Sequence, residues 1–140
     1  MAVNQAREQG KEAFKRKEYA EAIKLFTLAV DMAASRPLWE MAALARDELA
    51  VCLCNRSAAF AAVGDWVDSY VDADAVVQLK RPWLKGHYRK GVALREMGRG
   101  EEAREALRVG LQFDPESPDL LKALAEVPAS EGSNNEKAKA

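Results

Sequence analysis

Small and apolar positions along this chain recur at fixed steps. From Gly10, steps of 12, 16 and 19 residues lead to Ala22, Phe26 and Ala29. The same steps from Gly91 land on Ala103, Leu107 and Gly110, and from Ser57 on Ser69, Ala73 and Val76. Ser57 and Gly91 are 34 residues apart, while Gly10 and Ser57 are 47 apart, which is 13 more. A period of this length predicts stacked pairs of antiparallel helices. The tight turns fall at Arg16-Lys17-Glu18-Tyr19, Val63-Gly64-Asp65-Trp66 and Met97-Gly98-Arg99-Gly100. Gly, Ala or Ser allows two helix backbones to approach closely, and Phe26, Leu107, Tyr19 and Trp66 fill the space between.

The 13 extra residues lie in AASRPLWEMAALARDELA. Ser35-Arg36-Pro37 predicts a helix stop and restart, after which Leu38, Ala42, Ala45, Leu49 and Leu53 keep a helical spacing. The first helix of the second pair is therefore expected to be extended at its N-terminus by about three turns. Proline near the ends of the second and third pairs, Pro82 and Pro115, stops one helix and suits the first turn of the next. Asp119-Leu120-Leu121-Lys122-Ala123-Leu124 predicts a seventh helix that covers the open apolar face of the last pair. The expected domain spans residues 1–126, with repeats at about 3–36, 50–83 and 84–117. The extension takes 37–49 and the capping helix about 117–126. Residues 127–140 have little to bury and are expected to form a disordered tail.

Composition supports an all-α chain. Hydrophobic residues make up 49% and aromatics 7%, and no stretch alternates in the manner of a strand. A net charge of -1 argues against nucleic acid as a partner. No apolar run approaches the ~18 residues of a membrane span, and the N-terminus shows no signal-peptide pattern. Cys52 and Cys54, two apart on a helix, are expected to be unpaired and buried, in a reducing compartment. With one His, no Gly-rich phosphate loop and no metal-spaced Cys/His set, the sequence predicts no enzyme, cofactor or metal site.

The informative polar residues are basic and lie on the first helix of each pair. Arg7 and Lys11 are four apart and share a helix face, as do Lys85 and Arg89. At helical-neighbour spacing these four have few acids: only Lys11 has one, Glu8. On the sixth helix, by contrast, Glu101 stands three before Arg104 and Glu105 three before Arg108. His87 lies on the same segment as Lys85 and Arg89, where it is expected to border the same surface.

The three units resemble tetratricopeptide-repeat (TPR) motifs and cover roughly residues 3–116. That resemblance implies three helix-turn-helix repeats in a right-handed superhelix, with the first helices lining a concave groove. The segments CNRSAAF and LKGHYRKG are similar to the carboxylate-clamp motif of TPR co-chaperones, which grip a chaperone C-terminus ending in Glu-Glu-Val-Asp. Asn55, Lys85 and Arg89 match that motif, Arg7 stands where Lys is usual, and Lys11 departs from the usual Asn. The implied peptide-binding set is Arg7, Lys11, Asn55, Lys85 and Arg89, with His87 beside it.

The resemblance implies a heat-shock chaperone of the 70 class as partner, with the 90 class as the alternative. SRPLWEMAALARDELAVCLCNRSAAF and LKRPWLKGHYRKG further resemble the cytosolic TPR subunits of fungal post-translational translocation (Sec) complexes at the endoplasmic reticulum. That family recruits chaperones with their precursor proteins to the membrane channel. It implies a location at the cytosolic face of the endoplasmic reticulum, no direct membrane insertion, and other complex subunits held through regions outside this chain. Alternatives are a structural TPR adaptor that leaves the clamp unused, or the TPR part of a larger co-chaperone enzyme.

Overall fold

The computed structural model describes residues 2–37 and 43–129. Among these, all regular structure is helical: α1 (Val3–Lys15), α2 (Tyr19–Ala34), α3 (Ala43–Ala62), α4 (Trp66–Leu79), α5 (Leu84–Glu96), α6 (Gly100–Leu111) and α7 (Pro118–Ala125). Each helix packs on the next in sequence, and α1, α3 and α5 also touch in turn. The first helices of the three pairs thus form a layer of neighbours.

The small residues sit where the backbones approach. A Cβ on Gly10 would lie 2.6 Å from the Phe26 ring, and one on Gly91 would overlap Leu107. Phe26 and Leu107 are both buried, each 16 residues after its glycine. In the second pair Ser57 and Ser69 replace the small apolar partners and bond to each other instead.

The three turns share one geometry. Glu18, Asp65 and Arg99 each donate a backbone N–H to the carbonyl five residues earlier, all at 2.9 Å. The residue before each has a left-handed backbone: Lys17 (φ 62°), Gly64 (φ 80°) and Gly98 (φ 78°). This is the Schellman ending of a helix, which favours glycine because a Cβ is strained there. The spacing from Lys17 to Gly64 is again 47, and that from Gly64 to Gly98 again 34.

Helix α3 has 20 residues against 13 in α1 and α5, and the seven added residues lie at its N-terminus. Arg36 pairs with Glu48 at 2.6 Å and Lys80 with Asp47 at 3.4 Å, tying this end to its neighbours. The expected extension also includes Leu38, Trp39 and Ala42, which lie outside the described residues. Trp83 packs against the core cluster of α1–α4 with the Lys80 ammonium 5.5 Å from its ring centre.

Helix α7 closes the stack, burying Leu120 and Ala123 against Leu94, Ala103 and Leu107. Ser117 caps its N-terminus by accepting from the Leu120 N–H. The expected tail boundary at 127 needs correction, since Val127 is buried in this cluster over Gly100. An aliphatic side chain two residues past a helix end still reaches the core that the helix covers. The rest of that segment, from 130 on, lies outside the described residues.

Candidate functional site

Three helices present the candidate residues. Arg7 and Lys11 come from α1, Asn55 from the middle of α3, and Lys85 and Arg89 from α5. Their meeting point is marked by the two buried cysteines of α3. Burial pushes the Cys52 thiol up in pKa, and the positive charge of Arg7 pulls it partly back. Burial likewise raises Cys54, opposed by the charges of Arg89 and Lys85. Arg7 is thus a neighbour of Cys52, while Lys85 and Arg89 are neighbours of Cys54, Arg89 through a hydrogen bond to its thiol. Asn55 follows Cys54 directly. The thiols are unpaired and both are buried.

The charges of the site are unevenly compensated. Glu8 lies 4.0 Å from Arg7 Nε and 3.6 Å from Lys11 Nζ, so one carboxylate serves both cations of α1. Arg7 therefore has the acidic neighbour that its i±3 and i±4 positions lack. Among the described residues, Lys85 and Arg89 have no carboxylate partner and the Asn55 amide no hydrogen-bond partner. Lys85 is exposed, while Arg89 and Asn55 are half-buried. The Arg89 guanidinium lies 5.5 Å from the centre of the Tyr88 ring, a contact that orients the cation without neutralising it.

On the outer helix α6 the acids and bases meet each other. Glu101 pairs with Arg104 at 2.7 Å and Glu102 with Arg99 at 2.7 Å. The expected Glu105–Arg108 pair is not formed among the described residues. The neighbouring Arg56 fork grips Asp72 at 2.7 and 2.8 Å, which joins α3 to α4 and takes Arg56 out of any ligand role.

His87 does not border this surface. It is 1% exposed, its ring stacks on Phe113 with centres 5.7 Å apart, and its Nε2 is 2.6 Å from the Arg81 carbonyl. A Cβ at Gly110 would meet it at 2.7 Å, so the imidazole fills the seam between α5 and α6. Two residues after Lys85 on a helix is a rotation of about 200°, which carries His87 to the opposite face. Burial depresses its pKa.

Sequence reasoning did not identify Cys52 and Cys54 as neighbours of the site, although their places three and one residues before Asn55 held that signal. Among the described residues no cluster of His, Cys, Asp or Glu is suited to a metal ion, and no helix is long and apolar enough to cross a membrane.

No protein-family model matches the chain. A curated relative is the ER protein translocation subcomplex subunit sec67 of Schizosaccharomyces pombe, 43% identical over 123 residues. The match covers 87% of this chain and 64% of that protein, so the chain spans less than two thirds of its relative's length. Among solved structures, the first TPR of Spaghetti (RPAP3) bound to the HSP90 peptide SRMEEVD superposes with a TM-score of 0.75. It is 22% identical, and the match covers 89% of each chain. The TPR2B domain of yeast Sti1 in its pHsp70 complex gives a TM-score of 0.75 at 20% identity, covering 89% of this chain and 94% of that one. Helix pairs at the repeat spacing, shared turn geometry and these likenesses agree: the chain has the tetratricopeptide-repeat fold.

Proposed function

We propose that this domain binds the acidic, free C-terminus of a cytosolic heat-shock chaperone of the 70 class along α1, α3 and α5. It acts by binding, with no chemistry of its own. The reading is supported by the pair Lys85 and Arg89, which act on Cys54 beside Asn55 and, among the described residues, have no carboxylate of their own. A C-terminal Asp offers two carboxylates and no donors. An Arg fork, ammonium groups and an Asn amide supply the matching donors, each charge-assisted bond contributing about 1.5–3 kcal/mol. Arg7 and Lys11 extend the cationic surface across α1, so Lys11 adds a charge where a neutral amide is usual.

The solved neighbours support this, because domains of this fold hold an HSP90 peptide ending in EEVD and a pHsp70 partner. The S. pombe relative, named as a translocation subunit, supports the wider role: recruiting a chaperone and its precursor protein to the translocation channel, at the cytosolic face of the endoplasmic reticulum. Other subunits of that complex would be held outside this chain.

Calorimetric titration of tail peptides from both chaperone classes tests the proposal. The 70-class tail is expected to bind near micromolar, about -8 kcal/mol, with affinity falling as salt rises. Arg89→Ala is expected to cost at least about 1.4 kcal/mol, or tenfold. A preference for the 90-class tail would reassign the partner, and unchanged binding by Arg89→Ala would remove Arg89 from the site.

A further inference from the structure

The outer surface of the second helix pair carries a face that the groove does not use. Residues 57–79 hold four aspartates, Asp65, Asp68, Asp72 and Asp74, and no lysine or arginine. Two are tied to neighbouring helices, Asp72 to Arg56 and Asp74 to Lys90 at 2.9 Å. Asp65 and Asp68 remain exposed, and among the described residues neither forms an ion pair, Asp68 reaching Arg56 only as a distant charge. Beside them Val67 and Val71 are 64% and 57% exposed. One helical turn apart, these valines form a single apolar stripe. The other outer helices mix both signs on their exposed faces, Glu21 with Lys24 on α2 and Glu105 with Arg108 on α6.

The stripe adjoins a cleft. Tyr70 and Val77 lie about 60–80° round α4 from Val67. With Val109 they line a cavity of about 480 Å³ between α4 and α6, which also exposes Glu102 and Glu105. Arg81 and Lys90 contribute to its wall, Lys90 already held by Asp74. Exposed aliphatic side chains set among unpaired acids suit an apolar surface that carries positive charge.

We infer that this face, from Val67 and Val71 across the cleft to α6, docks a basic amphipathic helical segment of a partner protein. Its aliphatic side chains cover the valines, and its Lys and Arg residues meet Asp65, Asp68 and Glu105. A second copy of this chain is a poorer occupant, because a two-fold contact would set the same aspartates against each other. The inference is independent of the groove, which lies on other helices.

The test uses a synthetic peptide with leucine and lysine at helical spacing, and a counterpart with glutamate for lysine. Each is titrated into the full chain while backbone amide signals are followed. The lysine peptide is expected to bind at least tenfold tighter than its counterpart and to shift signals in α4 and α6. Val67→Ser with Val71→Ser, and separately Asp65→Asn with Asp68→Asn, should each weaken it at least fivefold. All four side chains are exposed, so circular dichroism and affinity for a C-terminal tail peptide should not change, which separates this test from that of the groove. Equal binding of the two peptides, shifts confined to α1, α3 and α5, or unchanged binding in either double variant would overturn the inference. So would a dimer, seen by sedimentation, that the valine substitutions dissolve.

Discussion

The Ser57 hydroxyl donates to the Ser69 backbone carbonyl at 2.8 Å and lies 3.0 Å from the Ser69 hydroxyl. Both residues are buried at the crossing of α3 and α4, the place that Gly10 with Ala22 and Gly91 with Ala103 hold in the other pairs. The second pair therefore closes on a hydrogen bond where the others set a glycine against Phe26 or Leu107. Ser57→Ala is expected to cost about 1–2 kcal/mol of stability in urea unfolding. Because the two hydroxyls share one interaction, Ser57→Ala with Ser69→Ala should cost less than the sum of the single changes. Strict additivity would show that the contact between the two hydroxyls contributes nothing.

At the third pair, the close approach itself can be measured. Gly91→Ala places a methyl against the buried Leu107 side chain and is expected to cost about 1–3 kcal/mol. A stability within experimental error of the parent chain would mean that α5 and α6 separate easily, contrary to the packing described.

Lys17 bears in the first turn the left-handed backbone that Gly64 and Gly98 bear in the others. A side chain there is strained by about 1 kcal/mol, part of which glycine returns as unfolded-state entropy. Lys17→Gly should therefore stabilise the chain by about 0.5 kcal/mol, seen as a higher denaturation midpoint. A lower midpoint would show that the Lys17 side chain makes a compensating contact.

His87 predicts a dependence on pH. Its folded pKa is depressed by burial below the ordinary 6.5, with the charges of Arg81 and Lys90 opposing protonation and the Arg81 carbonyl favouring it. The unfolded chain thus takes up the proton first as pH falls. The stability linked to His87 is full above 6.5 and is lost below it, at no more than about 1.4 kcal/mol per pH unit. Unfolding midpoints measured on both sides of 6.5 should show this loss, and His87→Gln should flatten it. An unchanged slope in the variant would assign the effect to other groups.

The fold was largely legible because it rests on period, and period survives in a single sequence. The steps from Gly10, Ser57 and Gly91 located the crossing within each helix pair, and the turn segments fell where the left-handed residues stand. The helices that carry the candidate residues were legible for the same reason: Arg7 lies on α1, Asn55 on α3, and Lys85 and Arg89 on α5. His87 was misplaced because proximity in sequence to Lys85 says nothing of the helix face, which two residues reverse. Val127 was missed because a lone aliphatic residue among polar ones carries no periodic signal. Whether acids at i+3 spacing close on their bases, as Glu101 does and Glu105 does not, depends on neighbouring helices that periodicity does not describe.

A free carboxylate is the group that Asn55, Lys85 and Arg89 are proposed to recognise. Titration of a peptide ending in Glu-Glu-Val-Asp against the same peptide with a C-terminal amide isolates that one group. The free acid is expected to bind near micromolar and the amide at least tenfold more weakly, a difference of about 1.4 kcal/mol or more. Equal affinity for the two peptides would contradict the account.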